Sequence, residues 1–100
     1  MKLPLRILPA AVEDIRETKL WYDSNRIGLG DEFLMQLDYL LDAIEERPMS
    51  FPVVAKSARR GLMSRFPYCV YYSAREGEVV VLAVVHGRRS PNVWRSRTPN

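Results

Sequence analysis

The spacing of apolar positions changes three times along the chain, and each change marks a new kind of element. Residues 3–8, LPLRIL, predict a short strand, with Pro4 near its start or on an edge. Pro9 suits a helix start, and residues 10–25 follow at helical spacing. Ala11, Val12, Ile15 and Tyr22 form the expected core stripe, with Glu13, Asp14 and Glu17 opposite and near the positive helix end. Trp21 lies about 100° around the axis from Tyr22, off that stripe. It is left to pack on a neighbouring element or to await a partner. The segment NRIGLG then predicts a turn, and Asp31 and Glu32 open a second helix that Arg47-Pro48 stops. Phe33, Leu34, Leu37, Leu40, Leu41 and Ile44 give this helix a wide apolar face. So short a connection predicts an antiparallel helical hairpin.

Beyond Pro48 the period falls to two. Residues 49–59 predict a loop, and 60–66, 68–74 and 78–86 predict three strands, broken at Phe66-Pro67 and at Arg75-Glu76-Gly77. Val79 to Val85 is apolar on both faces, as a central strand requires. The expected fold is therefore α+β: an N-terminal strand, an antiparallel helix hairpin and a three-stranded antiparallel meander, with the helices on one face of the sheet. One hundred residues, 47% of them hydrophobic, suit a single domain, with a tail expected to fray after about Trp94.

Charge adds a second asymmetry. Residues 1–50 carry six basic and ten acidic side chains, whereas 51–100 carry nine basic and two acidic. Eight of those nine are arginine, whose planar fork suits phosphate and carboxylate, so the second half is suited to an anionic partner. Cys69 is the sole cysteine and His86 the sole histidine, which excludes an intrachain disulfide and a Cys/His metal cluster. No cofactor is implied. The longest wholly apolar run has no membrane-spanning length, and prolines at 4 and 9 interrupt any signal-peptide core, so a cytoplasmic location is expected.

Candidate chemistry gathers where the valine run ends, at His86-Gly87-Arg88-Arg89. Strict alternation places Val80, Leu82, Val84 and His86 on one face, and Val79, Val81, Ala83 and Val85 on the other. Strand pairing can bring Arg59, Arg60 and Arg65 toward the same end. A histidine among arginines suits RNA cleavage, with an acid, a base and cations around a phosphate; the same set suits an acidic protein surface. Tyr68, Tyr71 and Tyr72 read as sheet-packing residues and Cys69 as inert packing. Gly28-Leu29-Gly30 lacks the strand and third glycine of a dinucleotide loop, and no nucleophile elbow supports a serine triad.

The segments GLGDEF, RFPYCVYY and VVVLAVVHGRRSPNVW resemble those of RelE/ParE-superfamily toxins, and the order of elements matches over nearly the whole chain. The resemblance implies the toxic partner of a type II toxin–antitoxin pair, neutralised by a cognate antitoxin whose extended or helical segment wraps it. The helix hairpin and the FPY segment are most similar to the ParE-like, plasmid-stabilisation group, which inhibits DNA gyrase. On that branch Arg59, Arg60, Arg88, Arg89 and Trp94 are the expected target-binding residues. On the RelE-like branch, which cuts messenger RNA on the ribosome, His86 and Arg65 are the expected catalytic pair, although no tyrosine stands next to His86 in sequence as in some nuclease members. A third alternative is a non-toxic, antitoxin-binding module of the same fold.

Overall fold

A computed structural model of the chain describes residues 2–89, Arg95 and Arg97. The expectations for Trp94 and for a frayed tail lie outside these residues. The elements are β1 (Leu5–Ile7), α1 (Pro9–Asn25), α2 (Leu29–Glu46), β2 (Val53–Ala55), β3 (Ala58–Leu62), β4 (Tyr68–Arg75) and β5 (Glu78–His86). They form one five-stranded sheet in the order β1-β5-β4-β3-β2. Strands β2 to β5 run as an antiparallel meander, while β1 joins β5 in parallel, with Leu5 opposite Val79 and Ile7 opposite Val81. The α+β architecture expected from the sequence is the one observed.

Several boundaries differ from the expected ones: β3 spans Ala58–Leu62 where residues 60–66 were expected, and α2 begins at Leu29, two residues before Asp31. Residues 49–59 were expected as loop but contain β2, which adds a fourth strand to the meander. This strand has three residues at the sheet edge, follows Pro52 and leaves Val53 and Val54 exposed, so no alternating pattern marks it. β1 is shorter than residues 3–8, because Leu8 already accepts the first helical hydrogen bonds, from the N–H groups of Ala11 and Val12.

The α2 stripe is buried as its spacing requires: Phe33, Leu37, Leu40, Leu41 and Ile44 lie in the core and Leu34 is packed against it. Helix α1 departs from the expected stripe. Ala11, Thr18 and Tyr22 are its buried residues, Ile15 is half-buried and Val12 is exposed. Thr18 is tolerated there because its hydroxyl donates to the Asp14 carbonyl at 2.8 Å. Glu13 and Asp14 fall beyond the first turn, since the helix begins at Pro9, and so do not act on its positive end as expected. Glu13 instead pairs with Arg16.

The hairpin connection explains the GLGD segment. Gly28 adopts φ +89° before α2, a conformation open to glycine. A Cβ on Gly30 would lie 2.5 Å from the Lys19 carbonyl oxygen, so the helices meet there backbone to backbone. The Gly30 N–H donates to Asp23 Oδ1 at 2.7 Å, and Lys19 Nζ bonds the other carboxylate oxygen at 2.7 Å. At the β4–β5 turn, Glu76 and Gly77 have φ of 55° and 76°, the type I′ geometry that matches strand twist.

The register of β5 against β4 contains an extra residue. Tyr72 pairs with Val81 and Tyr71 with Ala83, leaving Leu82 unmatched as a β-bulge. Val79, Val81 and Val84 consequently face the helices with Val70 and Tyr72, while Val80, Leu82, Ala83 and Val85 pack on the other face with Ala58, Cys69 and Tyr71. Strict alternation along residues 79–86 therefore fails. Val84 and His86 are inverted relative to Val80 and Leu82.

Two tests follow from this packing. Leu37→Asp or Leu41→Asp should abolish cooperative unfolding or lower stability by several kcal/mol, on the order of the total for a domain, because an unpaired carboxylate would enter the core; unchanged melting in both would refute the placement. Asp23 supplies a pH test. Its hydrogen bonds from Lys19 and from the Gly30 N–H hold the carboxyl below its ordinary value of 3.8, so its contribution is complete above that value and is lost as pH falls through the lower folded one. The melting-temperature gap between the native chain and Asp23→Ala should be present near neutral pH and should close on acidification below about pH 4.

Candidate functional site

The end of the sheet near His86 rests on an aromatic cluster drawn from four elements. Tyr22 of α1, Phe33 of α2, Phe66 of the β3–β4 loop and Tyr68 of β4 lie with ring centroids 4.9–6.0 Å apart. His86 is the cross-strand partner of Tyr68, and their rings meet edge to face at 5.5 Å. Phe66-Pro67-Tyr68 thus does two things: it turns the chain between strands and sets a rigid seat for the histidine. Burial raises the Tyr22 hydroxyl's pKa, as expected inside such a cluster.

The strand end itself is held by backbone. The Gly87 N–H donates to the Pro67 carbonyl and the Arg89 N–H to the His86 carbonyl, both at 2.9 Å. The Arg88 N–H donates to His86 Nδ1 at 3.0 Å, so the neutral ring carries its proton on Nε2 and offers a donor, not a base, on that side. Gly87 does not take a left-handed conformation; its Cβ position lies 3.4 Å from Cys69 Sγ, so close packing, not turn geometry, favours glycine here. Arg88 and Arg89 are exposed, and neither guanidinium has an ion-pair partner among the described residues.

The register decides which expected site residues converge. Arg65 lies in the exposed β3–β4 loop, at the His86 end of the sheet, with Arg88 and Arg89. Arg59 and Arg60 sit further along β3, opposite Tyr72 and Tyr71, and do not join the cluster. Arg59 is bound to the carbonyls of Met49 at 3.2 Å and Phe51 at 2.6 Å, where it secures the loop before β2. The Tyr72 hydroxyl ties the same loop by donating to the Pro48 carbonyl at 2.6 Å, and burial pushes its pKa up to about 12. Arg60 projects on the opposite face, with a buried Nε that has no hydrogen-bond partner among the described residues. Cys69 is buried there and its thiol pKa is raised by burial, which fits an unreactive packing role.

Three features escape the sequence. Tyr68, eighteen positions before His86, is its neighbour through strand pairing. Asp14, on the face of α1 expected to be solvated, turns toward β5: its Oδ2 accepts the Val84 N–H at 3.0 Å and pairs with Arg97 Nη1 at 2.6 Å. Arg97 also donates to the Leu82 carbonyl at 3.3 Å. Side chains therefore stand in for a strand beside the bulge, past the end of β1. A cleft of about 240 Å³ opens next to this clamp, lined among others by Glu17, Trp21, Tyr68, His86 and Arg89. Among the described residues no three His, Cys, Asp or Glu side chains are grouped as metal ligands.

No family model and no curated protein matches the sequence. Among solved structures, the chain is similar to one chain of the chromosomal ParDE TA system from P. aeruginosa, with a TM-score of 0.76 and 11% identity, over 85% of this chain and 96% of that one. The chain has the ParE-like fold that the motifs implied. Among the described residues, no helix is long and apolar enough to cross a membrane.

The Asp14 clamp is open to direct test. Asp14→Ala should leave the Val84 N–H unpaired, lower stability by about 1–3 kcal/mol and speed hydrogen exchange at Val84 more than at Val70 on β4. Equal protection of Val84 in the variant and the native chain would show that the carboxylate does not hold the strand end.

Proposed function

We propose that this protein is the ParE-like toxin of a type II toxin–antitoxin pair, acting in the cytoplasm by binding DNA gyrase and silenced by a cognate antitoxin. The observation that carries the reading is the fold shared with a ParDE chain over 85% of this chain and 96% of that one. The strand end supports action by binding. Arg88 and Arg89 stand exposed on a backbone fixed at Gly87 and Arg89, and a rigidly presented cationic pair suits recognition of carboxylate or phosphate on a large partner.

The same geometry is poorly suited to RNA cleavage. That reaction needs a base, an acid and cations around one phosphate, yet the cleft beside His86 is lined by Asp14 and Glu17 as well as Arg89, and not by Arg65. Tyr68 and His86 are the residues that favour the RelE-like alternative, and their pairing keeps it a real outcome of the test. Neither reading calls for a metal or cofactor.

A brief pulse of expression, followed by parallel assays of DNA supercoiling and messenger integrity, distinguishes the branches. Growth arrest with early loss of negative supercoiling and intact messengers is expected. Arg88→Ala combined with Arg89→Ala should weaken inhibition, whereas His86→Gln should keep it within a few-fold. If messengers are cut first and His86→Gln lowers cutting by roughly 10²- to 10⁴-fold, the protein is a nuclease. No arrest at all would leave an antitoxin-binding module.

A further inference from the structure

The exposed arginines 88 and 89 are joined to β5 through Gly87, the residue type with the widest choice of backbone angles, so the chain alone does not set their direction. Three hydrogen bonds do. The Gly87 N–H donates to the Pro67 carbonyl at 2.9 Å, the Arg89 N–H to the His86 carbonyl at 2.9 Å and the Arg88 N–H to His86 Nδ1 at 3.0 Å. Two of the three acceptors belong to His86. The bond to Nδ1 spans Gly87 by way of a side chain and so restrains the flexible residue between.

An acceptor that takes the N–H two residues on closes a turn as the side chain of Asn or Asp does. Histidine adds what those residues lack. Its ring meets Tyr68 edge to face at 5.5 Å, on the strand that pairs with it, so the acceptor is itself fixed to the sheet. Because the N–H groups of residues 87, 88 and 89 all have partners, the loop offers no nest of free backbone donors, and recognition of an anion falls to the two guanidinium groups. A pair already held in place loses less freedom on binding than a loose one.

We propose that His86 is the positioning residue of the arginine pair: its unprotonated Nδ1 fixes the Arg88 amide, and with it the direction in which Arg88 and Arg89 are presented to the target. The consequence for the target rests on the proposed reading of this strand end as the binding surface; the lock itself does not. It is open to protons, since an imidazolium has no acceptor and acid should release the Arg88 N–H. The titratable and charged groups around the ring are Asp14 and Glu17 of α1, Tyr68 and Cys69 of β4, and Arg88 and Arg89 of its own loop. Among the described residues only Arg88, through its N–H, bonds Nδ1.

Two variants of the full chain separate the acceptor from the ring. His86→Asn keeps an acceptor at the same position along the side chain and loses the ring, whereas His86→Phe keeps a ring against Tyr68 and loses the acceptor. By nuclear magnetic resonance at neutral pH, the native ring should show the Nε2–H tautomer. Exchange of the Arg88 amide should be similar in the native chain and His86→Asn, and about tenfold faster in His86→Phe, as for one hydrogen bond lost. Lowering the pH from about 8 to about 5 should speed this exchange, relative to its intrinsic rate, in the native chain and not in His86→Asn. Inhibition of gyrase supercoiling should follow the same order, His86→Asn restoring what His86→Phe loses. The reverse order would show that ring packing governs the loop, and would overturn the proposal; so would equal Arg88 exchange in all three chains, or inhibition that ignores a change in exchange. Should His86→Phe fail to fold, the native pH profile decides, and an Arg88 amide indifferent to acid would refute the lock. A native chain that leaves supercoiling untouched counts against the gyrase reading alone, because the exchange order and pH profile judge the lock without gyrase.

Discussion

Leu82 occupies a place on β5 for which β4 has no residue, and because side chains alternate with period two, that single surplus position inverts everything after it. Without it, His86 would share the face of Val80 and Leu82. With it, His86 comes to the helix face, against Tyr68 and within reach of α1. The bulge also turns the Val84 N–H outward, where Asp14 must receive it, since a backbone donor left unpaired at this partly buried edge would cost about 1–3 kcal/mol. The cleft, the clamp and the presentation of Arg88 and Arg89 are consequences of that one insertion.

The helices keep this arrangement in place from the other side. Close approach at Gly30, fixed by Asp23 and Lys19, sets the hairpin, and the hairpin delivers Tyr22 and Phe33 to one point. Phe66 and Tyr68 complete the cluster from the sheet. The seat of His86 therefore couples the hairpin to the strand end, so changes at the Gly-Leu-Gly turn should reach the candidate site through packing alone.

Much of this could be read from the chain. The α2 stripe was unambiguous because an eighteen-residue helix presents many turns of one period. The α1 stripe misled at Val12 because its interior includes a polar residue, Thr18, that satisfies itself locally, and because Asp14 is apolar in neither composition nor pattern yet faces the sheet. Three-residue β2 has no periodicity to detect. The site was legible as a strand end with His86 and arginines, but its membership depended on register. An all-apolar run such as Val79–Val85 carries no mark of where a bulge falls, so neither the Tyr68 pairing nor the separation of Arg59 and Arg60 could be deduced.

The most direct measurement is the set of short-range proton contacts of the His86 ring in solution, by nuclear Overhauser spectroscopy on the isotope-labelled chain. The account predicts contacts from the ring to Tyr68 and to the helix-side residues of the core, with Leu82 and Ala83 both in contact with Tyr71 or Cys69 on the opposite face. A ring in contact with Leu82, Cys69 or Tyr71 instead would show an unbroken alternation along β5, and would contradict the inversion on which the site is built.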